Sequence, residues 1–393
     1  MRELPGWVRI LLVGQFVSTV GSLAWLFVTL YLVEDRDMSL AAAGVVAALN
    51  GVGTIGGNLL GGAIGDRFGL RRTLLVFTCL SVVLLVAVPL SPTAALGAVL
   101  LAVGFVGGVR RPVSFALITS ALPAGQRRQA VAWSRASFNA GVVIGPPLGG
   151  LLAAYNFDLI FVVDGLSTIV MLAAITRIPR TGAPVPHDAA RRSLWSALRA
   201  DPRMVLLLVA IVLVDTAYRF TYSALPLQLR DSGAEPWVYG TLIALNGLVI
   251  VVFEPWLAAR LAGQPAVRLM TWGFVLVAVG WLVLVPSQTV MAAVAAIVVG
   301  TLGEMLYKPT ATAHAADRAP DGMHGRYQSL YAAASISGTV LAPPLSTSLL
   351  AVDARLTWAV GALLGFAAAA LMLAWSRLPD RADPQSSADR MSV

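Results

Sequence analysis

Apolar stretches of roughly 20 residues recur along the whole chain, and short polar loops separate them. A helix of that length crosses the hydrocarbon core of a lipid bilayer. The pattern therefore predicts twelve transmembrane spans. They are numbered 1 to 12 and cover residues 8–32, 39–64, 71–90, 94–119, 129–154, 158–177, 203–229, 237–261, 266–286, 288–316, 325–350 and 355–376.

The composition agrees with this pattern. Of the 393 residues, 58% are hydrophobic and only 12% are charged, and the mean hydropathy is +0.79. A water-soluble domain of this size could not bury so much apolar surface, so we expect lipid to be its main solvent. The first apolar stretch is too long for a signal peptide and is assigned to span 1. The single Cys79 lies inside span 3, so the chain can form no internal disulfide.

The basic residues predict the orientation. An even number of spans puts both termini on one side of the membrane, and 20 of the 28 basic residues fall in loops or ends on that side. Only Arg36, Arg230 and Arg355 fall on the other side. This bias predicts a multi-pass protein with both termini in the cytoplasm. Because the arginines are spread through loops, the net charge of +8 does not indicate a nucleic-acid partner. Lysine occurs only at Lys308, a composition that favours a GC-rich bacterium and its cytoplasmic membrane.

The longest polar connection, rich in Pro, Arg and Ala, divides the chain into two parts. We predict four segments: an N-terminal six-helix bundle at residues 1–178, a cytoplasmic linker at 179–202, a C-terminal six-helix bundle at 203–376 and a cytoplasmic tail at 377–393.

An internal repeat supports two equivalent halves. At an offset of 197 residues, six positions match in both identity and spacing. Pro112, Pro123, Gly141, Pro146, Pro147 and Leu148 face Pro309, Pro320, Gly338, Pro343, Pro344 and Leu345. Near an offset of 196, Asn50 faces Asn246 within matching Ala-Leu-Asn-Gly segments. Apolar helices share a small alphabet, but prolines at matched distances argue against chance. We predict two pseudo-symmetric bundles with a cavity between them near the membrane midplane.

The loop after span 2 reads GAIGDRFGLRR over residues 62–72. It resembles the signature loop of the major facilitator superfamily, with matches at Gly62, Asp66, Arg67, Gly69 and Arg71. In that family the loop is a cytoplasmic gate, in which the acid pairs across the two halves and faces a helix N-terminus. The resemblance implies this role for Asp66 and Arg67. The alternative is an ordinary glycine-rich basic turn.

Span 5 ends in GVVIGPPLGG, similar to the span 5 signature of antiporters in the same family. The matching residues are Gly141, Gly145, Pro146, Gly149 and Gly150. The resemblance implies a 12-helix drug/proton antiporter, related to multidrug efflux members. Close packing of small residues is the alternative, and the two interpretations overlap physically. An arginine that many multidrug members carry in span 4 is absent, so proton coupling through it is not implied.

Charges within spans are costly, at least ~2.5 kcal/mol on insertion scales, and mark functional hypotheses. Glu304, Asp215 and Glu254 are the candidates for proton coupling. Glu304 and Asp215 have basic residues four positions later, whereas Glu254 has none three or four positions away. Simple charge neutralisation within the two pairs is the alternative. The candidates for lining the substrate cavity are Arg111, Arg135, Asn139, Tyr218, Arg219, Tyr222, Asn50, Asn246 and Lys308. Arg111 is preferred to Arg110 because the repeat aligns Arg111 with Lys308.

These observations predict a secondary active transporter that exports small amphipathic organic molecules in exchange for protons by alternating access. The proton gradient is its expected energy source, with no cofactor and no metal. We expect a monomer in the lipid bilayer. The mixed charge of the cavity also leaves anionic substrates open. A proton-symporting importer or uniporter is one alternative, and a ligand-binding receptor without transport is another. The sequence has no metal-ligand spacing and no nucleophile elbow, which argues against an enzyme.

Overall fold

The structure is a computed structural model that describes residues 4–120, 122, 124–178, 199, 201–261, 263–319 and 324–377. This part of the chain is helical and contains no strand. The helices cover Gly6–Gly21 (α1), Ala24–Glu34 (α2), Leu40–Phe68 (α3), Leu70–Leu90 (α4), Leu96–Ser120 (α5), Ala124–Tyr155 (α6), Asp158–Thr176 (α7), Pro202–Tyr218 (α8), Phe220–Asp231 (α9), Pro236–Leu261 (α10), Ala266–Leu284 (α11), Val290–Asp317 (α12), His324–Ala334 (α13), Gly338–Leu350 (α14) and Ala354–Arg377 (α15).

The helices confirm the predicted all-α membrane fold. Within the described residues, eleven helical segments are long and apolar enough to cross a bilayer. The remaining predicted span, 325–350, is present as two shorter helices, α13 and α14. The proposed domain boundaries stay a prediction, since most of the linker 179–202 and of the tail 377–393 lies outside the described residues.

Three spans that the sequence predicts as continuous are interrupted. Span 1 breaks at residues 22–23, span 7 at residue 219 and span 11 at residues 335–337. Apolar periodicity carries no signal for such breaks, because both parts of each span remain hydrophobic. An interrupted helix inside a membrane exposes backbone groups that need new hydrogen-bond partners.

Buried carboxylates provide partners at two of the breaks. Asp164 of α7 accepts a hydrogen bond from the backbone N–H of Ala24, the first residue of α2, at 3.3 Å. Asp215 of α8 accepts one from the backbone N–H of Gly338, the first residue of α14, at 2.9 Å. Each carboxylate therefore stabilises the positive end of a helix that begins within the membrane.

The molecule presents apolar side chains outward and packs small residues inward. Leu59, Val83 and Leu363 are largely exposed, as expected for surfaces that face lipid. Inside, Gly53 and Gly57 of α3 lie against the backbone of α5, where a Cβ atom would collide with main-chain atoms. Such small-residue contacts are typical of membrane helices, which gain little from burying apolar surface against one another.

Following the predicted division of the chain, we refer to α1 to α7 as the first half and to α8 to α15 as the second half. Because successive spans alternate in direction, the bundle has a termini side, where span 1 begins and span 12 ends, and an opposite far side. The halves contact each other closely on the far side. Gly44 of α3 faces Pro343 and Thr347 of α14, and Gly240 of α10 faces the carbonyl oxygen of Pro146.

Candidate substrate cleft and proton site

Glu304 is the centre of a buried polar cluster in the second half. Its side chain lies in α12 and the residue is 8% exposed. One carboxylate oxygen, Oε1, accepts a hydrogen bond from Nζ of Lys308 at 2.6 Å. The other oxygen, Oε2, accepts one from Nδ2 of Asn246 in α10 at 3.1 Å. Asn246 also donates to Oγ1 of Thr301 at 2.8 Å. Both oxygens of the buried carboxylate are therefore held by groups that favour its charged form.

Two tyrosines extend this cluster towards the first half. Tyr218 interacts electrostatically with Glu304, and Nζ of Lys308 lies 3.9 Å from the centre of the Tyr218 ring. The hydroxyls of Tyr218 and Tyr222 are 3.0 Å apart. The ring of Tyr222 in turn makes an edge contact with Trp25 of α2, with 5.2 Å between the ring centres. A continuous line of contacts therefore runs from the carboxylate to the other half.

Asp215 and Arg219 form a second buried pair, one helical turn apart. Oδ2 of Asp215 is 2.9 Å from Nε of Arg219 and also accepts the hydrogen bond from Gly338. Asp215 is only 2% exposed. The terminal Nη atoms of Arg219 donate no hydrogen bond to any residue that the structure describes. They remain available to a further acceptor.

Glu254 lies between the halves rather than in the buried cluster. It is half-buried in α10, and its electrostatic neighbours are Glu304, Lys308 and Arg135 of α6. None of the described residues forms an ion pair with it within 4.0 Å. The sequence showed that Glu254 lacks a partner in its own helix, and the structure adds a basic residue from the other half. Asn139, one turn after Arg135, has no hydrogen bond to a described residue.

The adjacent arginines of α5 point to different surroundings. Nη1 of Arg110 donates to Oγ of Ser81 at 3.0 Å, and Arg110 interacts electrostatically with Asp164. Arg110 therefore belongs to the interior of the first half. Arg111 is exposed, and its electrostatic neighbour is Arg219 of the second half. This places Arg111 at the cleft between the halves.

The two matched asparagines of the repeat differ in their surroundings. Asn246 binds Glu304, whereas Nδ2 of Asn50 donates to the carbonyl oxygen of Leu100 at 3.1 Å. Asn50 thus joins α3 to α5 inside the first half and is not part of the polar cluster. A small cavity does adjoin that cluster, lined by residues that include Tyr218, Asn246 and Thr301.

The segment 62–72 that the sequence predicts as a loop is helical except at Gly69, because α3 continues to Phe68 and α4 begins at Leu70. Asp66 and Arg67 are exposed, and Asp66 makes no hydrogen bond or ion pair with a described residue. Arg71 donates to the carbonyl oxygen of Thr176 at 3.0 Å, at the end of α7. Gly69 has a φ of 84°, a left-handed conformation that favours glycine. Gly62 has open space around the position of a Cβ atom.

The glycines of span 5 contact two different partners. Gly141, Gly145 and Gly149 pack against α1 and α2 of the same half. Gly150 lies against the backbone of Trp237 in the second half. The carbonyl of Pro146 likewise lies against Gly240 of the second half. Three glycines of this motif therefore serve contacts within the first half, and Gly150 serves a contact with the second half.

The close backbone contacts between the halves lie on the far side. They are joined there by an ion pair between Nε of Arg230 and Oε1 of Glu34, at 3.3 Å. Towards the termini side, Arg111 and Arg135 are exposed. The cleft therefore opens towards the termini side.

Comparison with known proteins agrees with this architecture. A sequence model of the Major Facilitator Superfamily matches residues 10–335 and 207–391. The chain belongs to the major facilitator superfamily. This is a family of transporters, which is consistent with a protein that is not an enzyme. Among the described residues, no group of His, Cys, Asp and Glu side chains is arranged to hold a metal ion.

The relatives with curated descriptions that are named here come from bacteria. The chain is 28% identical over 352 residues to the uncharacterized MFS-type transporter YttB of Bacillus subtilis, covering 86% of this chain and 87% of YttB. It is 23% identical over 372 residues to a Na(+), Li(+), K(+)/H(+) antiporter of Planococcus maritimus, covering 85% and 86%.

Solved structures share the fold at low sequence identity. The nucleoside transporter NupG superimposes with a TM-score of 0.80 at 12% identity, over 94% of this chain and 100% of NupG. A D-xylose-proton symporter superimposes with a TM-score of 0.75 at 15% identity, over 96% and 98%. Similarity at this level shows a common fold for this MFS transporter and does not extend to its substrate.

Sequence reasoning missed several residues of this site. Thr301 and Trp25 have no signal of their own, because they join the cluster through contacts between helices far apart in the chain. Arg230 was assigned only to a loop, and its pairing with Glu34 depends on how the halves meet. The i,i+4 pairs were found because both partners share one helix.

Proposed function

We propose that this MFS transporter exports small amphipathic organic molecules in exchange for protons. The observation that carries the proposal is Glu304, a buried carboxylate with one oxygen bound to Lys308 and the other to Asn246. Adding a proton to this carboxylate removes the charge that holds Lys308. The side chain can therefore exist in two states that differ in charge and in hydrogen bonding.

In the proposed cycle, the charged form of Glu304 coexists with bound substrate and the protonated form with the empty carrier. We take the termini side as cytoplasmic from the distribution of arginines. The cleft is then open to the cytoplasm, where a proton leaves and substrate enters. Rocking of the two halves exposes the cleft to the other side, where a proton from outside displaces the substrate.

Export rather than import is supported by two likenesses. One is the span 5 segment at residues 141–150, which resembles the antiporter signature. The other is the Planococcus relative, whose description is that of an antiporter. The xylose-proton symporter has the same fold, so the fold alone is compatible with import.

Everted membrane vesicles test the direction of transport. The probes are two dyes with a common xanthene skeleton, anionic fluorescein and cationic rhodamine 123. Respiration acidifies the vesicle interior, so an exporter accumulates its dye as protons leave. We expect protein-dependent accumulation of one of these dyes that collapses when an uncoupler is added.

Two control variants sharpen this experiment. Glu304→Gln removes the proposed proton site, so accumulation should fall to the level of vesicles without the protein. Glu235→Gln changes an exposed carboxylate in a loop and should transport normally. Uptake by intact cells that follows the proton gradient inward, without accumulation in everted vesicles, would instead support a symporter. Dye binding without any flux would support a receptor.

We also propose a monomer in a bacterial cytoplasmic membrane, with both termini in the cytoplasm. The arginine distribution supports the orientation, and the bacterial relatives support the membrane. Alkaline phosphatase fused after Arg377 should be inactive, because the enzyme requires export to fold. An active fusion would reverse the assigned orientation.

A further inference from the structure

The two halves differ at one pair of matched positions in the cleft. At the 197-residue offset of the repeat, Gly107 corresponds to Glu304 and Arg111 to Lys308. In the second half, the base therefore has a carboxylate one turn earlier, at 2.6 Å. In the first half, the base has a glycine at that position. Arg111 thus lacks the carboxylate that its counterpart binds.

The position beside Gly107 is empty. A Cβ atom added there would meet nothing within 4 Å. The neighbouring Gly104 and Gly108 face the opposite way, against the backbone of α3. The face of α5 that bears Gly107 and Arg111 is exposed. There is therefore room in the cleft for a carboxylate, which Glu304 supplies in the second half and Gly107 does not supply in the first.

The charges around this position favour an anion. Arg111 has no hydrogen bond or ion pair with a residue in the described part of the chain. Its electrostatic neighbour across the cleft is Arg219, a like charge whose terminal Nη atoms have no described acceptor. The like charges of Arg111 and Arg219 repel each other, so an anion bound between them would relieve this repulsion. A guanidinium group can bind an oxyanion with its N–H donors.

The cleft as a whole also has more positive than negative side chains. Four cationic side chains, Arg111, Arg135, Arg219 and Lys308, face three carboxylates, Asp215, Glu254 and Glu304. Two of these carboxylates are already paired within their own helices. Nearby, Trp25 and Tyr222 offer an aromatic surface for an apolar body.

We propose that Arg111 and Arg219 form an anion-binding subsite beside Gly107, and that the substrate is an amphipathic organic anion. The carboxylate, sulfonate or phosphate of the substrate binds beside Arg111, at the position that corresponds to that of Glu304 beside Lys308 in the other half. This inference rests on the proposed function and specifies its substrate class. It also makes Arg111 the residue that selects for charge.

Binding of the two xanthene dyes to purified protein in lipid nanodiscs tests the subsite. Fluorescence anisotropy measures affinity, with empty nanodiscs as background. We expect wild type to bind fluorescein more tightly than rhodamine 123. Arg111→Gln should weaken fluorescein binding by about tenfold or more, the loss expected for a charge-assisted hydrogen bond. It should leave rhodamine 123 binding unchanged or stronger.

Substitutions of Gly107 separate charge from shape. Gly107→Glu supplies the missing carboxylate to Arg111 and should abolish fluorescein binding. Gly107→Ala adds a methyl group without charge in the open space and should weaken fluorescein binding far less than Gly107→Glu. Arg355→Gln removes an equal charge from an exposed position in the first turn of α15 and is the matched control for net charge. A folded Gly107→Glu protein that still binds fluorescein normally would contradict the subsite.

The outcomes also separate this inference from the proposed function. Fluorescein binding that requires Arg111, with no proton-driven flux, supports the subsite and overturns proton-coupled export. Proton-driven transport of rhodamine 123 that is unaffected by Arg111→Gln supports export and overturns the subsite. The subsite is also overturned if wild type binds fluorescein no more tightly than rhodamine 123.

Discussion

Individual residues explain how charges persist within this membrane protein. Glu304 and Asp215 each have a cation four residues later, Lys308 within α12 and Arg219 directly after α8, and a second donor from another helix. The cation offsets much of the cost of a buried charge, and the second donor adds a hydrogen bond, to the other oxygen in Glu304 and to the same oxygen in Asp215. Both carboxylates therefore have their hydrogen-bond partners inside the protein rather than in lipid.

The pair of Asp215 and Arg219 gives a prediction for stability. Arg219→Gln leaves a buried carboxylate without its cation, so we expect a loss of about 3–5 kcal/mol in unfolding free energy. Combining it with Asp215→Asn removes both charges and should recover much of that loss. Equilibrium unfolding in mixed detergent micelles measures both values. A double variant as unstable as Arg219→Gln would show that the ion pair is not the cause.

At this scale the sequence predicted part of the site. The spacing of Glu304 and Lys308 was sufficient to predict their pairing, since a helix brings such positions together. The partners Asn246 and Gly338 come from other helices, and their contacts depend on packing that one sequence does not encode locally. Asn50 was selected by the repeat, yet its amide binds a backbone carbonyl in its own half.

Single helices are built around glycines that allow close approach. On α3, Gly44 lies against α14 of the other half, and a Cβ atom added to it would be 2.7 Å from the carbonyl oxygen of Pro343. Gly56 on the same helix has only an ordinary contact, 3.7 Å from the ring of Phe105. The apolar pattern predicted where the helices lie but not their breaks, because a break depends on a distant capping group such as Asp164.

These glycines predict how the far side can be opened. Gly44→Ala should push α3 away from α14 and widen the far side, whereas Gly56→Ala should not. Spin labels at Tyr155, at the end of α6, and at Val352, just after α14, measure the separation of the two halves on the far side by pulsed electron spin resonance. These residues are 85% and 76% exposed. Cys79 must first be replaced by serine because it is exposed. Equal distances in both glycine variants would contradict this account of closure.

The segment 62–72, at the junction of α3 and α4, yields a prediction about gating. Asp66 is exposed and has no described partner here, so any pairing must form when the termini side closes. Asp66→Asn should therefore slow transport while changing stability by less than about 0.5 kcal/mol, as for other surface substitutions. Transport rates and unfolding measured on the same preparation check this. A large loss of stability would show that Asp66 acts within the fold instead.

The whole molecule combines a closed far side with a cleft open to the termini side. The far side is held mainly by backbone packing, since the exposed pair of Glu34 and Arg230 contributes only about 0–1 kcal/mol. Hydrophobic periodicity and the repeat predicted the twelve spans because membrane helices are long and uniformly apolar. They did not predict which side is open, because both states of a carrier use the same spans.

The most direct test of the account compares two kinds of transport in proteoliposomes that contain the Glu304→Gln variant. Exchange of labelled for unlabelled dye requires only rocking of the loaded carrier. Because the glutamine side chain of this variant mimics the protonated form, which binds substrate weakly in the proposed cycle, exchange should persist only at dye concentrations well above those that saturate wild type. Accumulation driven by an imposed proton gradient requires release of a proton from Glu304, so it should be lost, while wild type performs both. A Glu304→Gln protein that still accumulates dye in response to the proton gradient would contradict the central role of this carboxylate.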